Sequence, residues 1–342
     1  MDVDEVLLAA PRGFCAGVEM AIKALAWMVR TFPAPVYCYH EIVHNRAVVD
    51  LFIARGVIFV DEISDVPAGS PVMLSAHGSA PEVVAAARAS GGFVVDAVCP
   101  LVTKVHHEVK VRVGKGYQVV YIGHEGHEEA VGTMAVAPDA TWRVESRAEV
   151  DALPDFDQPI ALLAQTTLSH RDWADVQAAT VERFPDAWLP GRSDLCFATT
   201  NRQSALMAIA PSVDTMVVIG SANSSNTVAL AKLAAESGSP QVLRINNADE
   251  LPDDLAGTVG VTAGASAPDD LVRAVLARLA PRNGVREIRV TDEDEYFPPP
   301  RNLRDLMGSV ATVASAMIGA PIPSGLGSDR ELPAGTVLAE LA

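Results

Sequence analysis

The stretch Pro11-Arg12-Gly13-Phe14-Cys15-Ala16-Gly17-Val18 sets a cysteine between two glycines. The apolar run Val6-Leu7-Leu8-Ala9-Ala10 precedes it, and Val18, Ile22, Leu25, Ala26 and Val29 follow at helical spacing. It therefore reads as a strand-to-helix loop with a thiol at the helix start. There the backbone N–H groups favour the thiolate, the form that binds metal or attacks an electrophile. Cys99 and Cys196 stand in the same kind of setting, and that repetition decides the fold.

Working outward, apolar runs alternate with helical patterns along the whole chain, which predicts α/β units with parallel sheets. Val36–Tyr39, Val57–Val60, Val72–Leu74, Val119–Ile122, Ile160–Leu163 and Met216–Ile219 read as strands. Aligned on its cysteines, the chain shows a period. Each of Cys15, Cys99 and Cys196 precedes a helix, a strand and a polar loop that opens a second helix. These loops are His44-Asn45-Arg46, His124-Glu125-Gly126-His127-Glu128-Glu129 and Ser221-Ala222-Asn223-Ser224-Ser225-Asn226. Cys15 to His44, Cys99 to His127 and Cys196 to Ser224 span 29, 28 and 28 residues. A further loop closes another strand in each unit: Ser75-Ala76-His77-Gly78, Gln165-Thr166-Thr167-Leu168-Ser169, and Thr262 to Pro268.

Three related α/β domains are thus expected: residues 16–98, 99–193, and 194–285 together with an N-terminal strand within 1–15. Each has ordinary domain size. Arranged about a pseudo-threefold axis as a trefoil, they would bring the loops at their strand ends, where α/β sheets bind ligands, to one centre. Residues 286–342 form a tail. Its acidic run Thr291-Asp292-Glu293-Asp294-Glu295 reads as solvated surface and Leu306–Ile318 as a short helix. The Pro- and Gly-rich end from Pro321 to Ala342 is expected to be partly disordered.

The totals narrow the function. The chain of 342 residues is 49% hydrophobic and 20% charged, with a formal net charge of -17. So acidic a surface argues against nucleic acid and against anionic membranes, which bind Lys and Arg clusters. An anionic ligand would need local donors. Neither an export signal nor an apolar run of membrane-spanning length is present, so a cytoplasmic location is expected. Four cysteines then read as metal ligands, catalytic groups or buried apolar residues rather than disulfides. Cys38, outside the repeat, reads as a buried small hydrophobe.

Three thiolates around one point suit zinc with a fourth ligand or an iron-sulfur cluster. The soft donors and the open coordination position favour the cluster, one per chain; in a 4Fe-4S form it keeps one iron free to act as a Lewis acid. Around it, His44, His77, His127, Ser224, Asn226 and Ser266 form a donor set for an anion such as a diphosphate, at predicted helix starts. For Ser224, Ser225 and Asn226, simple helix capping competes. Glu129 is a candidate proton donor with Thr166 beside it, and Glu125 and Glu128 are alternatives that composition does not separate.

The motifs PRGFCAGV, VHNR (Val43–Arg46), SAHG (Ser75–Gly78), CPLVTKVH (Cys99–His106), GHEGHEE, QTTLS, ATTNRQ (Ala198–Gln203), NSSN (Asn223–Asn226) and TAGASAP occur in this order between Val6 and Pro268. Together they resemble the 4-hydroxy-3-methylbut-2-enyl diphosphate reductases of the methylerythritol phosphate route to isoprenoids. The resemblance implies a trefoil of three α/β domains around a 4Fe-4S cluster on Cys15, Cys99 and Cys196. It implies a diphosphate held by His44, His77, His127, Ser224, Ser225, Asn226 and Ser266, proton delivery by Glu129 with Thr166 beside it, and a tail that closes over the core. The implied reaction is reductive dehydroxylation of the allylic diphosphate, giving isopentenyl and dimethylallyl diphosphates. Ferredoxin or flavodoxin is the implied electron donor. Glu19, Met20, Val98, Glu128 and Ala222 depart from the family pattern; none is an implied cluster ligand or diphosphate contact. Rival readings are a diverged paralogue acting on another allylic diphosphate or kept as an inhibitor-tolerant copy, and a non-catalytic iron-sulfur sensor. A sensor has no reason to keep His44, His77, Glu129 and NSSN together.

Overall fold

The computed structural model describes residues 1–319 and 329–342. Strand β1 (Asp2–Ala10) is followed by α1 (Ala16–Thr31), β2 (Val36–Tyr39), α2 (Arg46–Ala54), β3 (Val57–Val60), β4 (Val72–Leu74), α3 (Pro81–Ala89) and β5 (Val94–Asp96). Next come α4 (Pro100–Gly114), β6 (Gln118–Ile122), α5 (Glu128–Met134), β7 (Thr141–Val144), α6 (Arg147–Asp151), β8 (Ile160–Ala164) and α7 (His170–Arg183). The rest is α8 (Phe197–Ile209), β9 (Thr215–Ile219), α9 (Ser225–Glu236), β10 (Gln241–Ile245), β11 (Ala256–Ala263), α10 (Asp269–Leu279), β12 (Val285–Arg289), α11 (Arg301–Ile318) and α12 (Ala334–Leu341).

These elements build an α/β fold with three wholly parallel sheets, in the orders β10-β9-β11-β1-β12, β3-β2-β4-β5 and β7-β6-β8. By packing, the chain divides into two compact units: Met1–Cys15 with Leu101–Asp294, and Ala16–Pro100 with Glu295–Ala342. The second and third stretches expected from the sequence thus share one unit, and the segment from Glu295 onward joins the first stretch.

In the larger unit, parallel strands covered on both faces read as continuous apolar runs. β9 (TMVVI) and β8 (IALLA) are buried at every residue, and β1 is buried from Val6 to Ala10. Alternate residues serve opposite faces. Val217 and Ile219 pack with Val272, Val275 and Leu279 of α10, whereas Met216 and Val218 pack with Leu206 of α8 and Leu230 of α9. Val120 and Ile122 of β6 meet Val150 and Val176 from α6 and α7; Val119 and Tyr121 meet Val105 and Val109 of α4. β12 is an edge strand whose exposed Arg286, Glu287 and Arg289 guard its free side.

In the smaller unit, Tyr37, Val60, Val72, Leu74 and Ala87 form a core, and Cys38 is fully buried as expected. Part of the Pro- and Gly-rich C-terminal segment is folded. Residues 329–342 form a turn of 3-10 helix and α12, whose Ala334, Val337, Leu338 and Leu341 are buried; residues 321–328 lie outside the described residues. The segment is held to α1 by a buried ion pair between Lys23 Nζ and Asp329, at 3.1 Å. Glu19 accepts the Ala334 N–H at 2.8 Å, capping the start of α12. A carboxylate at that helix N-terminus is favourable, which gives one departure from the family pattern a structural role.

Candidate functional site

The larger unit gathers most of the candidates on loops at the carboxyl ends of its strands. Leaving β1, the chain turns through Gly13 at φ 67. A Cβ there would stand 3.1 Å from the Ala267 carbonyl oxygen, so only glycine lets the two loops pass this closely. The Gly13 and Cys15 N–H groups donate to the Ala263 and Ala265 carbonyls, both at 3.2 Å, placing Cys15 beside the loop of Ser266, itself buried. Thr227 packs closely against that loop. A Cβ on Gly264 or Gly220 would fall 2.2 or 2.4 Å from Thr227 Oγ1.

Cys196 caps α8. Its Sγ accepts the Thr199 N–H at 3.2 Å and lies 3.0 Å from the Thr199 hydroxyl. Burial around the sulfur pushes the thiol up to about 11, and charge on Cys15 pushes the same way. The hydrogen bonds from Thr199 and the charge of Arg202 lower it, but by less. The helix start therefore does not by itself make Cys196 a thiolate, contrary to the reading from its position. Two unbridged, half-buried thiols on adjoining loops suit a soft metal centre. Coordination deprotonates such thiols outright.

Beside Cys196 lies the candidate acid. The Cys196 N–H donates to the Thr166 carbonyl at 3.0 Å. Thr166 in turn gives both donors to Glu129: its N–H to Oε1 at 2.7 Å and its hydroxyl to Oε2 at 2.9 Å. Glu129 is only 2% exposed. Desolvation pushes its carboxyl up to about 7, against the lowering by Thr166 and with a smaller upward push from Asp194. Burial separates the three glutamates that composition left equivalent: the Glu125 side chain is 83% exposed and Glu128 only half-buried. Glu128 occupies the first turn of α5, where a negative charge suits the helix end.

His127 is the N-cap of α5; its Nδ1 accepts the Glu129 N–H at 3.1 Å. A neutral ring accepting there carries its proton on Nε2, which remains a donor. Ser224 caps α9 by accepting the Thr227 N–H at 3.4 Å. Ser225 is joined to the QTTLS loop by Gln165 Nε2 at 3.3 Å and Thr167 Oγ1 at 3.1 Å. Asn226 is 3% exposed, yet neither its Nδ2 nor its Oδ1 has a partner among the described residues. A buried amide left unsatisfied costs about 1–3 kcal/mol, which marks Asn226 as a candidate binding group.

The other three candidates sit together in the smaller unit. The His44 and His77 rings stack with centroids 4.1 Å apart and planes 10° apart, and His44 Nδ1 is 3.3 Å from Glu41 Oε2. Asn45 caps α2 just after His44. The Cys99 N–H donates to the Ala76 carbonyl at 3.0 Å, so the third cysteine adjoins the His77 loop.

Several residues at the site escaped the sequence reading. Gln165 is fully buried and accepts the His124 N–H at 2.9 Å, tying GHEGHEE to NSSN. Asp194 accepts the Ala164 N–H at 3.1 Å and faces Lys104 Nζ at 3.4 Å. Tyr121 is a fully buried phenol, pushed well above its ordinary value by burial and by the charge of Glu129. Arg202 is also fully buried. Its ion pair with Glu293, whose side chain is only 16% exposed, sets that residue apart from Thr291, Asp292, Asp294 and Glu295, which are exposed as expected. Gln165 and Arg202 lay inside quoted motifs, and Arg202 is the sole charge in α8, which was the available signal.

Comparison with known proteins agrees with this geometry. A family model described as LytB protein matches residues 6–280. Proteins named 4-hydroxy-3-methylbut-2-enyl diphosphate reductase from Beijerinckia indica and Rhodopirellula baltica are 44% and 45% identical, over 87% and 88% of this chain and 96% of each relative. The solved structure of the E-1-hydroxy-2-methyl-but-2-enyl-4-diphosphate reductase from Plasmodium falciparum is similar with a TM-score of 0.87 at 30% identity, covering 91% of this chain and 99% of that one. A match of this extent, on a chain whose cysteine, histidine and NSSN loops close its parallel strands, makes this protein a member of the LytB family.

Proposed function

We propose that this chain is an iron-sulfur oxidoreductase that converts 4-hydroxy-3-methylbut-2-enyl diphosphate into isopentenyl and dimethylallyl diphosphates. Its relatives carry the reductase name, and the LytB family is one of iron-sulfur enzymes. The finer assignment is a 4Fe-4S cluster, one per chain, on Cys15, Cys99 and Cys196. When bound, the cluster would relay two electrons, one at a time, from the electron donor and offer a Lewis-acidic position for the allylic hydroxyl. Overall, two electrons and two protons break the allylic C–O bond, form a C–H bond and release water.

The chain's own residues supply binding and protons. Asn226, whose amide has no partner among the described residues, joins Ser224, Ser225, Ser266, His44, His77 and His127 as the donor set for the diphosphate. Helix N-termini at α9 and α10 add backbone N–H groups. In Glu129 the Thr166 N–H fixes Oε1 as an acceptor, because a backbone donor cannot reverse. The proton therefore rides on Oε2, where the Thr166 hydroxyl can turn from donor to acceptor. A carboxyl titrating near 7 is close to the ideal for proton transfer at neutral pH.

One observation carries the reading: Thr166 bonds to the proton donor with its N–H and hydroxyl and to the Cys196 backbone with its carbonyl. Among the described residues no helix is long and apolar enough to cross a membrane. We assign the enzyme to the cytoplasm, with ferredoxin or flavodoxin as donor and no membrane or nucleic-acid partner. A turnover assay on the reconstituted chain with the diphosphate and a reduced dye tests the function. A cluster-loaded chain that leaves the substrate intact would sink it.

A further inference from the structure

Arg202 stands on α8 six residues after Cys196, with no exposed surface. A guanidinium is buried at high cost unless its fork of donors is used, and here it is. Nε and Nη2 donate to the Gly13 carbonyl at 3.0 and 2.7 Å, and Nη2 reaches the Phe14 carbonyl at 3.2 Å. Nη1 donates to the Ala198 carbonyl at 3.0 Å and to Glu293 at 2.9 and 3.1 Å. Asn201 Nδ2 holds the same Glu293 carboxylate at 2.9 Å. One side chain thus grips the two carbonyls just before Cys15 and the helix that Cys196 opens. It also grips Glu293, next to the residue where the chain leaves this unit.

We propose that Arg202, braced by Glu293, is the positioning residue that fixes the spacing of the Cys15 and Cys196 sulfurs and, as a buried cation beside them, raises the reduction potential of the cluster they ligate. The proposal rests on the iron-sulfur reading of the same site. Its two halves use different chemistry. Positioning needs the planar fork, whose five donors lysine cannot reproduce. The effect on potential needs only the positive charge, which stabilises the more negative reduced cluster, while Glu293 offsets part of it.

The experiment compares Arg202→Lys, Arg202→Gln and Glu293→Gln in the full chain. In the cluster-free protein, cobalt(II) titration follows the thiolate-to-metal charge-transfer band; both arginine variants should bind about tenfold or more weakly. After reconstitution, redox titration should move the potential negative in Arg202→Gln, leave it near wild type in Arg202→Lys, and move it positive in Glu293→Gln. Opposite signs for the two neutralising changes are what loss of structure alone does not produce. Unchanged cobalt affinity in both arginine variants overturns the positioning role. Glu293→Gln keeps the Arg202 charge and offers an amide oxygen that can still accept from Nη1, so in the folded, cluster-loaded variant an unmoved or negative shift overturns the electrostatic role. A wild-type chain that takes up no iron defeats the iron-sulfur reading instead, and the cobalt arm still decides positioning.

Discussion

Replacing Glu129 by Gln in the cluster-free chain should change how stability depends on pH. The folded carboxyl titrates near 7 and the unfolded one at 4.5. The folded state therefore holds the proton more tightly, and the group's stabilising contribution is full below the unfolded value and lost as pH rises toward 7. At about 1.36 kcal/mol per pH unit, going from about pH 5 to pH 8 costs wild type about 2–3 kcal/mol through this residue. Glutamine does not titrate, so the variant escapes that loss, whatever its fixed cost in altered hydrogen bonding to Thr166. Urea unfolding of both proteins at the two pH values gives the double difference, in which the remaining titrating groups cancel. Parallel pH dependence, within about 0.5 kcal/mol, would mean that burial does not hold the Glu129 proton and would remove the basis for its role as donor.

Other outcomes follow from the same geometry. With the cluster and substrate bound, Glu129→Gln should keep both yet lose turnover, and the wild-type rate should fall as pH rises above 7, where the donor is ionised. Serine at Cys15, Cys99 or Cys196 should abolish the visible iron-sulfur absorbance of the reconstituted protein, whereas Cys38→Ser should retain it, as read by spectroscopy and iron content. Asn226→Ala removes an amide with no partner among the described residues, so thermal stability should hold or rise while diphosphate affinity, measured calorimetrically, falls about tenfold or more. Gly264→Ala places a methyl 2.2 Å from Thr227 Oγ1 and should cost about 1–3 kcal/mol in chemical denaturation, with recovery in the double variant carrying Thr227→Ala.

Most of the strands legible in the sequence are largely buried. β8 and β9 are apolar runs buried at every residue, β1 is buried from Val6 to Ala10, and β3 was legible from VIFV although Ile58 is exposed. β12 was passed over because an edge strand carries charge, and VREIR has the composition of surface. β5 and β7 are short and only partly buried. At the site, the cysteines and the polar loops stood out because their offsets repeat. Arg202, Gln165 and Asp194 did not, because their roles come from complete burial against loops distant in sequence. A lone arginine in a helix reads as solvated until packing shows otherwise. The choice of Glu129 over Glu125 and Glu128 had the same origin: all three share a loop, and desolvation, which no local pattern records, separates them.

Strand β1 lies between β11 and β12, with Val6 in register with Val259 on one side and Val285 on the other. Synthesis thus releases an apolar segment long before either neighbour exists, while the strands from Val36 to Asp96 can close their own sheet as soon as they emerge. Contacts so distant in sequence form slowly, and in the interval β1 offers two open edges to other nascent chains. A ribosome stalled before β11, or a fragment ending there, leaves that strand without a home. Yield in a foreign host should therefore fall when the last third of the chain arrives slowly and rise with chaperones that shield β1 until it does.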